Sequence, residues 1–157
     1  MKDLAPADPG IAMQIERVGV IGAGTMGNGI AQACATTGID VVMVDVAQAA
    51  IDLGLGAIRT SLERLEKKDK ITGGDREAAI ARVAGTTDYA ALARCGLVIE
   101  AATENLELKL RILKQVDALA TGDTVLASNT SSISITQLAA VVNRARQRLP
   151  FVMIETN

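Results

Sequence analysis

A chain of 157 residues, 49% hydrophobic and 22% charged, fits one domain with a sizeable core. Its net charge of −2, with no basic tract and no acidic tail, argues against nucleic acid as a partner. There is no histidine, no cysteine pair at metal-ligand spacing and no apolar run near the ~20 residues of a membrane span, so imidazole chemistry, a metal centre and a membrane partner all fall away.

Residues 1–15 carry acidic residues and two prolines but no signal-peptide core; they read as a flexible extension, with Met13 as an alternative start. Arg17 to Ile21 is an aliphatic run ending at glycine, the pattern of a buried strand. Thr25 to Thr37 reads as a helix with Ile30 and Cys34 on one face, and Gly38 suits the position just past its end. "DVVMVDV", Asp40 to Val46, is a second strand, which completes a βαβ unit.

Ile51, Leu55, Ile58, Leu62 and Leu65 form one apolar stripe of a long helix that ends at "EKKDK". "TGGD" offers Thr72 as the N-cap of a second helix reaching about Val83, with Asp75 in the capping-box position. Together they predict an inserted helical hairpin. Alternation then resumes: a brief strand at Gly85 to Thr87, a short helix at Asp88 to Arg94, the strand "GLVIEAA", the helix "NLELKLRILKQVDALA", the strand "TVLASN", and a helix at Thr136 to Asn143. This predicts an α/β fold of the Rossmann type, a doubly wound parallel sheet over residues 16–144. Cys34 and Cys95, each among small apolar residues, read as buried free thiols, which suits a cytoplasmic location.

Five glycines crowd "VGVIGAGTMGNGIAQ", and Gly22, Gly24 and Gly27 spell G-x-G-x-x-G between a strand and a helix. Asp45 ends the next strand, about 20 residues on, as a dinucleotide-binding fingerprint requires. Gly22 permits the tight turn, Gly24 lets the backbone approach a pyrophosphate, and Gly27 lets the helix pack closely. The loop Gly22, Ala23, Gly24, Thr25, Met26 and Gly27 is therefore assigned to cofactor binding. Asp45 accepts hydrogen bonds from the adenine ribose and repels a 2′-phosphate, so the cofactor is NAD rather than NADP. The plain alternative is a tight turn followed by a solvated aspartate.

Two later segments, "VIEAATENLELK" and "ASNTSSISIT", follow in order. With the glycine motif they resemble the NAD-binding domain of 3-hydroxyacyl-CoA dehydrogenases, closest to bacterial 3-hydroxybutyryl-CoA dehydrogenases. Sugar-acid dehydrogenases share the first motif but not "SNTSS" after "EN". The resemblance implies hydride transfer between C3 of a 3-hydroxyacyl-CoA and NAD. It implies that Glu104 and Lys109 contact the nicotinamide side of the cofactor, that Asn129 lines the same site, and that Ser131 hydrogen-bonds the reacting oxygen. It implies further that Ser61 and Lys68 contact the coenzyme A of the substrate, and that full-length members are homodimers. Read from the residues alone, Glu104 is a helix N-terminal carboxylate, Lys109 an exposed helix lysine, Ser61 and Lys68 a solvated face, and "SNTSS" a turn and capping cluster.

The motif match ends near Arg144. The family continues with a strand into His-x-x-Asn-Pro and a later glutamate, then a C-terminal helical domain. Here "NRARQRLPFVMIETN" places Met153 at the histidine position and leaves Glu155 as the one late carboxylate. Residues 145–157 read as a divergent tail, from a frameshift or a truncated copy, in which "LPFVMIE" either replaces the next strand or stays unpaired. The expectation is a chain that holds NAD but lacks the general base, and so is inactive alone. The alternatives are a non-catalytic NAD-binding module and one partner chain of a split enzyme.

Overall fold

A computed structural model describes residues 14–121, 123–130, 134–140 and 151–153. In chain order the elements are β1 (Arg17–Ile21), α1 (Thr25–Thr36), β2 (Asp40–Val44), α2 (Gln48–Lys67), α3 (Gly73–Arg82), β3 (Val83–Thr86), a 3₁₀ helix (Tyr89–Arg94), β4 (Leu97–Glu100), α4 (Leu106–Leu119), β5 (Val125–Ser128), α5 (Ile135–Ala139) and β6 (Phe151–Met153). Among the described residues the strands form one 6-stranded sheet in the order β3-β2-β1-β4-β5-β6, and every pairing is parallel. The order reverses between β1 and β4, and a doubly wound sheet opens a crevice at that point.

Side-chain alternation along the strands builds two cores. Val18, Val20, Val41 and Met43 face α1, α2 and α3, where Ala31, Ala35, Ile51, Ile58, Leu62 and Ala79 meet them. Ile21, Val44, Val98 and Leu126 face the other way, against Leu92, Ile112, Leu113, Val116 and Leu138. Helices cover both sides, which is why the strands read as continuous apolar runs.

The hairpin is present and its inner face belongs to the core. Ile51, Ile58 and Leu62 of α2 are buried, whereas Leu55 and Leu65 are half-buried. Thr72 and Asp75 form a reciprocal capping box at the start of α3, and Arg76 pairs with Glu66 across the turn.

Two expectations change. The buried stripe of α1 is Gly27, Ala31 and Ala35, with Ile30 and Cys34 half-buried beside it. Close approach of the helix to the sheet leaves room for small side chains on the facing stripe. Cys95 is buried as expected, but Cys34 is only half-buried; burial raises both thiol pKa values. The last helix covers Ile135–Ala139, and residues 141–143 lie outside the described residues. "LPFVMIE" supplies a strand, because Phe151, Val152 and Met153 pair in parallel with Leu126, Ala127 and Ser128.

Candidate cofactor site at the C-terminal edge of the sheet

The turn after β1 is built from its glycines. Gly22 has φ +102, a conformation that L side chains rarely adopt, and a Cβ there would stand 2.7 Å from the Ala101 carbonyl oxygen. A Cβ on Gly27 would stand 1.7 Å from the Gly22 oxygen, so α1 can start this close to β1 only with glycine. Gly24 is the N-cap of α1, and a Cβ there would meet nothing within 4 Å: the space above it is open. Among the described residues no side chain caps α1 and no acidic residue occupies its first turn. Its first amides and the positive end of its dipole face that open space. Ala23 is buried, while Thr25 and Met26 are exposed.

Asp45 follows β2 and turns back to this loop. One carboxylate oxygen accepts the Ala23 amide at 3.0 Å and the other accepts the Ala47 amide at 3.3 Å. A carboxylate has about four acceptor positions, so two amides leave capacity for two hydroxyls. Gly22, the first residue of the loop, and Asp45 share a cleft of about 580 Å³, lined also by Val46, Tyr89, Leu108 and Arg111. That volume suits a small-molecule site, and the walls come from both sides of the β1/β4 switch point. Tyr89 has its phenol pKa raised, chiefly by burial and then by the charges of Asp45 and Glu100; it therefore stays neutral and able to donate.

On the far side of the switch point, the ends of β4 and β5 carry a buried polar cluster that the motif reading missed. Glu100, Lys109 and Ser128 are each 0% exposed. The Lys109 ammonium donates to a Glu100 carboxylate oxygen and, at 3.3 Å, to the Ser128 hydroxyl. Ser128 donates to that same carboxylate oxygen at 2.7 Å, and the other oxygen accepts the Ala102 amide at 2.9 Å. Lys109 is thus neither an exposed helix lysine nor a wall of the cleft. A buried pair of this kind survives only because every charge has partners; removing one partner typically costs about 3–5 kcal/mol. The sequence does hold the signal. Lys109 stands three, four and seven residues before Ile112, Leu113 and Val116, the buried stripe of α4, and Glu100 ends a strand buried on both faces.

Glu104 is exposed just before α4, whose N-cap is Asn105. Its carboxylate accepts the Thr130 hydroxyl at 3.2 Å, which ties the β4–α4 loop to the loop after β5. Asn129 is half-buried in that second loop, and its amide donates to the Glu100 carbonyl at 2.8 Å. The structure therefore gathers Glu104 and Asn129 at the same sheet edge as the glycine loop and Asp45. Ser131 lies outside the described residues.

Ser61 and Lys68 are not gathered there. Ser61 is half-buried within α2, and Lys68 is exposed at its C-cap. α2 starts beside the cleft and is about 30 Å long, against about 17 Å for a five-residue strand, so Lys68 lies toward the opposite edge of the sheet.

The family model described as 3-hydroxyacyl-CoA dehydrogenase, NAD binding domain, matches residues 17–154. That match runs past Arg144 and takes in β6. The probable 3-hydroxybutyryl-CoA dehydrogenase of Deinococcus radiodurans is 45% identical over 131 residues, which cover 83% of this chain and 47% of that protein. The 3-hydroxybutyryl-CoA dehydrogenase of Bradyrhizobium diazoefficiens is 42% identical over 134 residues, covering 85% and 46%. The crystal structure of (S)-3-hydroxybutyryl-CoA dehydrogenase PaaH1 from Ralstonia eutropha superposes with a TM-score of 0.87 at 51% identity, covering 92% of this chain and 50% of that one. The chain spans about half the length of these relatives.

Proposed function

The chain belongs to the 3-hydroxyacyl-CoA dehydrogenase NAD-binding-domain family, and from that premise we propose that it is the cofactor-holding part of a 3-hydroxybutyryl-CoA dehydrogenase acting in the cytoplasm. Family members are NAD-dependent oxidoreductases that act on acyl-CoA substrates. The observation that carries the reading is the cleft shared by Gly22 and Asp45 at the β1/β4 switch point, with the Asp45 carboxylate bonded to the Ala23 amide of the glycine turn. Two free thiols, and no described helix long and apolar enough to cross a membrane, accord with the cytoplasm.

Each residue then has a task. The turn Gly22–Gly27 and the first amides of α1 receive the pyrophosphate. The two remaining acceptor positions of Asp45 take the ribose hydroxyls, and its charge repels a 2′-phosphate. Glu104 and Asn129 border the nicotinamide half, and Ser131 hydrogen-bonds the substrate's reacting oxygen. Bound NAD would supply the acceptor for the hydride that leaves C3 of the 3-hydroxyacyl-CoA. The hydroxyl proton needs a base that titrates near neutral pH, and these 157 residues contain no histidine. The base therefore comes from outside them.

The test is acetoacetyl-CoA-dependent oxidation of NADH by the chain alone. NADH should bind, with turnover about 10²–10⁴-fold below that of a full-length relative, the typical cost of a missing general base. Turnover at the full-length rate would overturn this reading. For Ser61 and Lys68, the proposed contact is with an acyl-CoA extended along α2. Lys68→Glu should raise the dissociation constant for acetoacetyl-CoA by about threefold, the size of one exposed ion pair, and an unchanged value would remove the assignment.

A further inference from the structure

The proposed reaction uses two ligands, and both end in adenosine 5′-diphosphate. Adenine, ribose and pyrophosphate are common to NAD and coenzyme A. The difference within that shared part lies on the ribose: NAD has free 2′- and 3′-hydroxyls, whereas coenzyme A carries a 3′-phosphate. A cleft that receives one ADP end is therefore open to the other unless something at the ribose tells them apart. Two charged side chains line the cleft, Asp45 and Arg111, and the rest of the lining is uncharged. The Asp45 carboxylate is held in place by the Ala23 and Ala47 amides at 3.0 and 3.3 Å. Its remaining acceptor positions suit hydroxyl donors. A phosphate monoester there would bring about two negative charges instead of a donor. Among the described residues no ion pair joins Arg111 to Asp45, so the carboxylate charge is not cancelled from the α4 wall. The far end of α2 offers the opposite charge: Arg64 and Lys67 lie in its last turn, and Lys68 is its C-cap.

We propose that Asp45 sorts the two adenine nucleotides of the reaction, admitting the ADP end of NAD and keeping the 3′-phosphorylated ADP end of the acyl-CoA out of the cofactor cleft. This rests on the NAD and acyl-CoA reading, but it gives Asp45 a task that cofactor choice alone does not require. Specificity of this kind needs a repulsive element as well as an attractive one, and a single carboxylate supplies both. It gains two hydroxyl donors from NAD, and against coenzyme A it loses a donor and meets a like charge. Asp45 is half-exposed, so water screens part of that repulsion. The lost charged hydrogen bond and the screened repulsion together correspond to a preference of at least about tenfold. Without Asp45 the charge left on the cleft wall is Arg111, which attracts a phosphate. Loss of the carboxylate should therefore end the exclusion, and the acyl-CoA would then compete with its own cofactor.

The experiment displaces NADH from the full chain with coenzyme A and with dephospho-coenzyme A, which ends in a free 3′-hydroxyl. On the wild type, dephospho-coenzyme A should displace NADH at a concentration at least about tenfold lower than coenzyme A does. AMP and adenosine 3′,5′-bisphosphate, which lack the pantetheine arm, should show the same gap and so place its origin at the ribose. In Asp45→Asn the gap should close to within about twofold. Both constants are read on one variant, so a general weakening of the cleft cancels. Asp45→Ser, with a shorter side chain, should close it likewise. Equal displacement by the two coenzymes on the wild type would overturn the proposal, as would a gap that persists in both variants. Displacement by neither, with NADH bound, would overturn it too, because a cleft with no affinity for either ADP end has nothing to sort. Failure of the wild-type chain to bind NADH would instead overturn the NAD reading, and the sorting with it.

Discussion

Asp45 does two things with one carboxylate. It clamps the glycine turn through the Ala23 amide and stays half-exposed at the mouth of the cleft. Asp45→Asn keeps the size of the side chain but removes the charge and trades an acceptor for a donor. NADH binding should weaken by about tenfold, and the preference over NADPH should shrink by at least as much, both measured by fluorescence titration. An unchanged preference would detach cofactor choice from this residue. Gly27 is constrained differently, since a Cβ there would lie 1.7 Å from a backbone oxygen, which cannot swing aside as a side chain can. Gly27→Ala should lower the stability read from urea unfolding by about 3 kcal/mol, at the upper end of overpacking costs, because α1 must move off β1. Gly24→Ala, which meets open space, should leave stability nearly unchanged and yet weaken NADH binding. The contrast separates the glycine that packs the helix from the glycine that makes room for the ligand.

Among the elements, the hairpin carries a pH dependence whose sign is fixed. At the start of α3 the Asp75 carboxylate accepts from the Thr72 amide and hydroxyl, and these bonds hold its pKa below the ordinary 3.8. A carboxyl whose folded pKa is depressed stabilises the fold above its unfolded pKa, and that contribution disappears as pH falls through the folded value. Asp75→Asn should therefore lower the unfolding midpoint at neutral pH, and the gap from the wild type should close below 3.8. A gap independent of pH would show that the carboxylate charge is not what caps the helix. This capping box is legible in "TGGD", because it needs only local geometry. The stripe of α1 is harder to read. Ile30 and Cys34 look like its core face until Gly27 draws the helix so close to the sheet that Ala31 and Ala35 must take their place.

Across the whole molecule, what the sequence makes legible follows the range of the interactions. The strands and helices announce themselves through aliphatic runs, the α2 stripe and the glycine-to-aspartate spacing, and the parallel doubly wound sheet follows from their alternation. The cleft is less legible, because Tyr89, Leu108 and Arg111 meet Asp45 only after strand order has been fixed. Lys109 is the sharpest case. Its burial is written in its spacing to Ile112, Leu113 and Val116, but a lysine near a helix start reads as solvated until its partners on β4 and β5 are in place. The tail is a further case: "LPFVMIE" leaves pairing open in sequence, and Phe151–Met153 complete the edge of the sheet in space.

The central claim is that one NAD lies across the C-terminal edge of this sheet, from Asp45 to Asn129. An amide-resolved NMR titration of the chain with NADH tests it most directly. Saturable one-to-one shifts are expected at Gly22–Gly27, Asp45 and Val46 together with Ala102–Asn105 and Asn129. Addition of ADP-ribose should reproduce the first group and spare the second. An absence of shifts at saturating NADH, or shifts confined to residues away from this edge, would contradict it.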